Sequence, residues 1–193
     1  VRISEATRSK EQVFDNGYFR IEPQHREVFN IAVGAEVTQS SQVYSSPYVV
    51  VDGQTNGDFN SGEVTHTAGE PAPWIDLRLR DTALITGVRL FNRTDCCPER
   101  LSNFWVFVSE KPFPEAARPS DLLSTAGVSA HYVLSALANP TFVAFDTQGQ
   151  YVRVQLEESE ASDPQYLSLA EIQVLAVGND VPANADLSVS IQA

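Results

Sequence analysis

Phe142-Val143-Ala144-Phe145 and Tyr151-Val152-Arg153-Val154-Gln155-Leu156 flank Thr147-Gln148-Gly149, and the alternation within them decides the fold class. In the second run Val152, Val154 and Leu156 alternate with Arg153 and Gln155. A period of two places the apolar groups on one face of a strand. The glycine-bearing segment between the runs predicts a hairpin turn. Outward from it, Val88-Arg89-Leu90-Phe91, Phe104-Trp105-Val106-Phe107-Val108 and Ile172-Gln173-Val174-Leu175-Ala176-Val177 repeat the pattern between turn residues. Short alternating strands at this spacing predict an all-β, antiparallel β-sandwich. Helical signal is confined to short turns. Ser120 is a candidate N-cap for Asp121-Leu122-Leu123, with Gly127 as the stop.

The two ends read as joints. Residues 1–28 form an N-terminal extension in which Asp15-Asn16-Gly17 is a turn between Gln12-Val13-Phe14 and Tyr18-Phe19-Arg20-Ile21. Residues 29–177 form the main domain. Residues 178–193 read as a linker, Gly178 to Asn184, followed by Ala185 to Ile191, which alternates like the opening strand of a further module. That last stretch resembles the start of the immunoglobulin-like repeats of bacterial surface proteins. A chain opening at Val1 with no methionine is expected of a mature or excised fragment, from which any signal peptide is gone.

The chain has 193 residues, of which 42% are hydrophobic, enough for one well-buried domain. A formal charge of -12 argues against nucleic acid, which selects clustered Lys and Arg. No apolar run is long enough to span a membrane as a helix. The two cysteines, Cys96 and Cys97, are neighbours, which rules out a cysteine-built zinc cluster. Composition leaves open whether they are free thiols or a strained vicinal disulfide.

They sit in Asn92-Arg93-Thr94-Asp95-Cys96-Cys97-Pro98-Glu99-Arg100-Leu101, a loop between two strands and a natural place for binding residues. His66 is followed by 26 residues to Arg93, then Asp95, then four residues to Arg100. With Thr38-Gln39-Ser40-Ser41, Asp52-Gly53, Thr65-His66-Thr67 and Pro73-Trp74, this spacing resembles the F-type lectins, or fucolectins, over roughly residues 29–177. The resemblance implies that His66, Arg93 and Arg100 hold the hydroxyls of a terminal L-fucose. Arg supplies a rigid, always charged fork of donors. Asp95 can neutralise and orient both arginines, and a neutral His66 is expected to donate one more bond. The resemblance also implies that Cys96 and Cys97 are oxidised, with their apolar face against the sugar ring, in a secreted or cell-surface protein. Phe59 aligns with a family aromatic near the site, and Tyr44 lies in a nearby loop.

The same resemblance implies one calcium ion, bound by the side chains of Asp52 and Glu171 and by the backbone carbonyls of Val49, Gln54, Glu63 and Ala170. Hard oxygen ligands of this type suit calcium. The apolar alternation of Leu167 and Leu169 slips phase before Ile172, which predicts a bulge at Ala170-Glu171. Relatives often carry a second disulfide at the positions held here by Val64 and Ala170, and a double Trp where Trp74-Ile75 stands. Asn92-Arg93-Thr94 is also a glycosylation sequon, expected to be unused because a glycan there would cover the pocket.

Two rivals remain at this stage. A glycosidase needs two carboxylates about the scissile bond, and the loop does contain Asp95 and Glu99. A discoidin-like protein- or lipid-binding module shares the sandwich but uses exposed apolar spikes. The polar donors favour a non-catalytic sugar-binding module whose partners are fucosylated glycans, with oligomers or tandem modules supplying avidity.

Overall fold

The computed structural model describes residues 9–13, 19–23, 28–136, 138–159 and 163–177. The chain divides into two compact units, one of residues 1–28 with 178–193 and the other of residues 29–177. In the first unit β1 (Ser9–Val13) pairs antiparallel with β2 (Phe19–Pro23), Val13 facing Phe19. The expected turn at residues 15–17 and the C-terminal strand at 185–191 lie outside the described residues.

The remaining strands, β3 (Val28–Asn30), β4 (Glu36–Gln39), β5 (Trp74–Asn92), β6 (Ser102–Ser109), β7 (Val128–Ser135), β8 (Thr141–Leu156) and β9 (Leu169–Val177), form one hydrogen-bonded network. Its order is β3-β9-β5-β8-β6-β7, with β4 also on β5. The two long strands build the sandwich. The first half of β5 lies between β4 and the end of β8, and its second half between β9 and the start of β8. Register breaks between Arg78 and Ala83 and between Ile85 and Gly87 bend the pair, so the same two strands run through both layers. Ile75 and Leu77 from one half meet Val88 and Leu90 from the other in a single core. Each such fully buried side chain contributes roughly 1.5–3 kcal/mol.

The hairpin expected at Thr147-Gln148-Gly149 is not formed. These residues continue β8 opposite Ile85, Leu84 and Ala83. A Cβ on Gly149 would lie 2.3 Å from Val108 Cγ1, so the glycine serves close approach inside the sheet and not a turn. The short helix α1 (Pro119–Leu123) exists, but Ser120 lies within it. Arg118 is the N-cap residue and its N–H donates to the Asp121 carboxylate at 3.0 Å. Gly127, at φ +83°, turns the chain into β7 and is not the helix stop, which is Ser124.

Arg153, pointing away from the apolar face of β8, is fully buried. Its guanidinium makes a two-pronged pair with Asp76 (2.6 and 2.7 Å), donates to the Pro114 carbonyl and lies over the rings of Trp74 and Phe113. This arginine fastens the loop before α1 to the sheet.

Candidate functional site

The loop from β5 to β6 is shaped by its own polar groups. Asn92 is buried; its Oδ1 accepts the Arg93 N–H (2.8 Å) and its Nδ2 donates to the Pro98 carbonyl (2.9 Å). Both ends of this amide are thus engaged within the loop. Cys96 and Cys97 form a vicinal disulfide, followed by a 3-10 turn at Pro98–Arg100. Across from it, the Thr94 N–H donates to the Gly57 carbonyl at 2.8 Å. A Cβ on Gly57 would fall 2.6 Å from the Asn92 carbonyl oxygen, so only glycine permits this contact.

That contact brings the segment carrying Phe59 onto the loop. Arg93 gives Nε–H and one Nη2–H to Asp95, both at 2.8 Å, and its guanidinium lies 4.2 Å from the Phe59 ring centroid. Asp95 Oδ1 also accepts the Phe59 backbone N–H at 3.0 Å. These bonds, Arg93's first, hold the Asp95 carboxyl well below the usual carboxylate range. Arg93 Nη1 makes no hydrogen bond to the described residues. Asp95 was expected to orient both arginines, and here it orients one. Among the described residues no carboxylate pairs with Arg100, which lies over the Tyr166 ring at 4.7 Å.

His66 stands between the two arginines in a ring of aromatics. Its centroid is 5.6 Å from Tyr44, 5.9 Å from Phe59 and 5.6 Å from Tyr166. Its Nδ1 lies 2.6 Å from the Thr67 carbonyl oxygen. A carbonyl can only accept, so Nδ1 carries the proton. Burial lowers the His66 pKa, the Thr67 bond opposes this, and the charges of Arg100 and Arg93 lower it further. The ring is therefore neutral at pH 7, and Nε2 is an acceptor, receiving an N–H from Arg100 Nη1 at 3.4 Å. His66 was expected to donate through its free nitrogen; in this tautomer that nitrogen is an acceptor.

Tyr166 was missed by sequence reasoning. Its ring packs on Gly69, where a Cβ would be 2.8 Å from Cζ, and it backs both His66 and Arg100. A glycine three residues after a candidate site histidine was the one available signal. Tyr44 joins the cluster edge-on to Phe59 at 5.2 Å and is largely exposed.

A second cluster surrounds Glu171. The register between β5 and β9 slips between Phe91 and Asn92, so Ala170 is the extra residue of a bulge, where the phase of the sequence placed one. Glu171 consequently turns inward: it is 0% exposed and neither carboxylate oxygen completes a hydrogen bond. Burial raises its pKa to about 8; the backbone N–H groups of Gly53 and Asp52, near the carboxylate but outside hydrogen-bond geometry, oppose the rise, and the Asp52 charge adds to it. Asp52 Oδ1 accepts the Gln54 N–H at 2.8 Å, and Gly53 takes φ +86°. Val49 is half-buried in the 3-10 turn at Pro47–Val51, against the core. The carbonyls of Gln54 and Glu63 accept no hydrogen bond from the described residues. Val64 and Ala170, the two positions singled out by the resemblance for a further disulfide in relatives, are both fully buried and apolar.

A family model described as NedA-like, galactose-binding domain matches residues 49–154. The chain is 30% identical over 162 residues to fucolectin-6 of Anguilla japonica, covering 80% of this chain and 78% of that protein. In structure it is similar to a fucose binding module of Streptococcus pneumoniae, with 30% identity and a TM-score of 0.62 over 76% of this chain and 96% of that one. It is also similar to the lectin domain of lectinolysin complexed with Lewis B antigen, with 29% identity and a TM-score of 0.63 over 78% and 98%.

Proposed function

Because the chain belongs to the fucolectin, or F-type lectin, family, we propose that it is a non-catalytic module binding terminal L-fucose on glycans through Arg93, Arg100 and His66. The observation that carries this reading is the pairing of two fixed guanidinium donors with one neutral imidazole acceptor. A sugar hydroxyl accepts and donates at once. One hydroxyl can accept from the arginines while giving its proton to His66 Nε2; an ether or carbonyl oxygen cannot do both. A sugar lacking a hydroxyl there leaves buried polar groups unpaired, which is the costly case. In this reading the face of the Cys96–Cys97 disulfide packs against the sugar ring, and Phe59, beneath Arg93, holds that guanidinium in plane.

Asp95 is not free for the acid's part in a glycosidase, because Arg93 and the Phe59 N–H keep it ionised. Both of its oxygens are taken up by Arg93, and Oδ1 also by the Phe59 N–H, which supports a positioning role over a catalytic one.

Calcium is part of the same proposal. What supports it is an orphaned buried carboxylate, Glu171, beside a second acid, Asp52, with unengaged carbonyls at Gln54 and Glu63. An ion there would supply the charge Glu171 lacks and tie the Asp52 turn to the β9 bulge. Val49 and Ala170 would add carbonyl oxygens. Secretion fits the disulfide, and among the described residues no helix is long and apolar enough to cross a membrane.

Calorimetric titration with L-fucose in calcium buffer tests the proposal, with D-galactose and Arg93→Ala as controls. Saturable heat with fucose, lost in the variant, is expected. No heat with fucose while the disulfide is intact overturns it.

A further inference from the structure

The two arginines of the site are held by different means. Arg93 gives its Nε–H and an Nη2–H to Asp95, both at 2.8 Å. Arg100 has no carboxylate partner among the described residues, and its guanidinium lies over the face of Tyr166, 4.7 Å from the ring centroid. A ring face attracts a guanidinium through its quadrupole and takes up none of the N–H groups, which point outward in the guanidinium plane. One of them goes to His66 Nε2 at 3.4 Å. A carboxylate in place of the ring would engage part of that fork and cancel the Arg100 charge. Burial is the main cause of the lowered His66 pKa, and the Arg100 charge adds to it, so a neutral anchor also helps to keep His66 an acceptor.

The fold places the ring without help from a ligand. Gln165 and Glu70 exchange backbone N–H···O bonds, both at 3.1 Å. On the other side of Tyr166, the Thr67 N–H donates to the Leu167 carbonyl at 3.1 Å and the Leu167 N–H donates to Thr67 Oγ1 at 3.0 Å. Both neighbours of Tyr166 are thus fastened to the segment that follows His66, and the ring packs on Gly69, between the two fastenings. Gly69 does not adopt a positive φ, so its backbone conformation does not call for glycine. The space does. A Cβ there would stand 2.8 Å from both Cζ and the hydroxyl oxygen of Tyr166, and 3.0 Å from Cε1. A ring fixed in this way holds its arginine ready, and ordering done in advance is not charged against binding.

We infer that Tyr166 is a positioning residue of the ligand cluster: its ring face fixes Arg100 as Asp95 fixes Arg93, and Gly69 is there to admit that ring. For glycan binding the inference rests on the proposal that Arg93, Arg100 and His66 hold fucose. Tyr166 acts through Arg100 and not by touching the sugar.

The test compares the full chain with Tyr166→Phe, Tyr166→Leu and Gly69→Ala. By NMR without ligand, the ring current is expected to move the Arg100 Nε–H signal upfield in the wild type and in Tyr166→Phe. That displacement should vanish in Tyr166→Leu and shrink in Gly69→Ala. In titrations with L-fucose, Tyr166→Leu is expected to bind about three- to thirtyfold more weakly, the span of a cation–π contact from an exposed to a desolvated site. Gly69→Ala should weaken binding in the same direction, while Tyr166→Phe, which keeps the ring face, should stay within about twofold of the wild type. Leu supplies apolar bulk without a ring, so rescue by Phe alone separates positioning from packing. Gly69→Ala keeps every atom of the ring and only displaces it, and it decides the matter if Tyr166→Leu does not fold. An Arg100 signal alike in the wild type and these two variants, fucose affinity undiminished in both, or Tyr166→Phe as weak as Tyr166→Leu overturns the assignment. A wild type with the displaced Arg100 signal that binds no fucose overturns the fucose reading instead, and leaves the anchoring of Arg100 by Tyr166 decided by the NMR comparison.

Discussion

Glu171→Gln is the most informative single change, because it separates a proton, an ion and a charge at one buried position. The folded-state pKa of Glu171 is about 8 against an ordinary 4.5, and the difference corresponds to roughly 4–5 kcal/mol. A raised pKa means the folded chain holds the proton more tightly than the unfolded chain. In calcium-free buffer that contribution is complete below pH 4.5 and is lost as pH rises to 8. His66, with a lowered pKa, acts in the opposite direction, so the difference between wild type and variant isolates Glu171. In EDTA at pH 8 Glu171→Gln is expected to exceed wild type by a few kcal/mol, about 8–16 °C in Tm for a unit of this size. At pH 5 the two should nearly coincide. Adding calcium at pH 8 should raise the wild-type Tm and leave the variant unmoved. Thermal melts followed by circular dichroism at pH 5 and 8, in EDTA and in calcium, provide the measurement. A wild type equally stable at both pH values in EDTA, with a variant no different from it, refutes both the buried-charge reasoning and the ion site.

The tautomer of His66 predicts that fucose affinity holds from pH 8 down through the ordinary histidine range and falls only below it, as Nε2 gains a proton; calorimetry across pH 4.5–8 reads this, and a loss already complete at pH 6.5 contradicts it. Asp95→Asn removes the charge that anchors Arg93 and should weaken fucose binding more than it lowers the Tm. Gly57→Ala forces a Cβ to 2.6 Å from the Asn92 carbonyl; it should cost about 1–3 kcal/mol in denaturant unfolding and weaken fucose binding by parting the loop from Phe59. Asp76→Asn leaves Arg153 buried beside a neutral partner and should destabilise by about 3–5 kcal/mol, with little change in affinity for fucose.

The strand runs at residues 88–91, 104–108 and 172–177 were legible because alternation is a local property: each residue's face is set by its neighbours in sequence. The bulge at Ala170 was legible for the same reason, as a break in phase. So was the grouping of His66, Arg93 and Arg100, because their spacing resembles a known family and the loop carrying two of them is short. What failed is what depends on distant chain. Thr147-Gln148-Gly149 contains the residues of a turn, yet continues β8, because Val108 and Ile85 lie where a Cβ would go. No local pattern can show that. Tyr166 reaches the site only through its packing on Gly69, far away in sequence. His66 is an acceptor only because the Thr67 carbonyl, turned toward it in the fold, claims the proton on Nδ1. Sequence by itself determined which residues alternate and which donors cluster in one loop. Tertiary structure decided where strands continue, which side chains complete the cluster and which way each proton points, since these depend on atoms that the chain brings together only on folding.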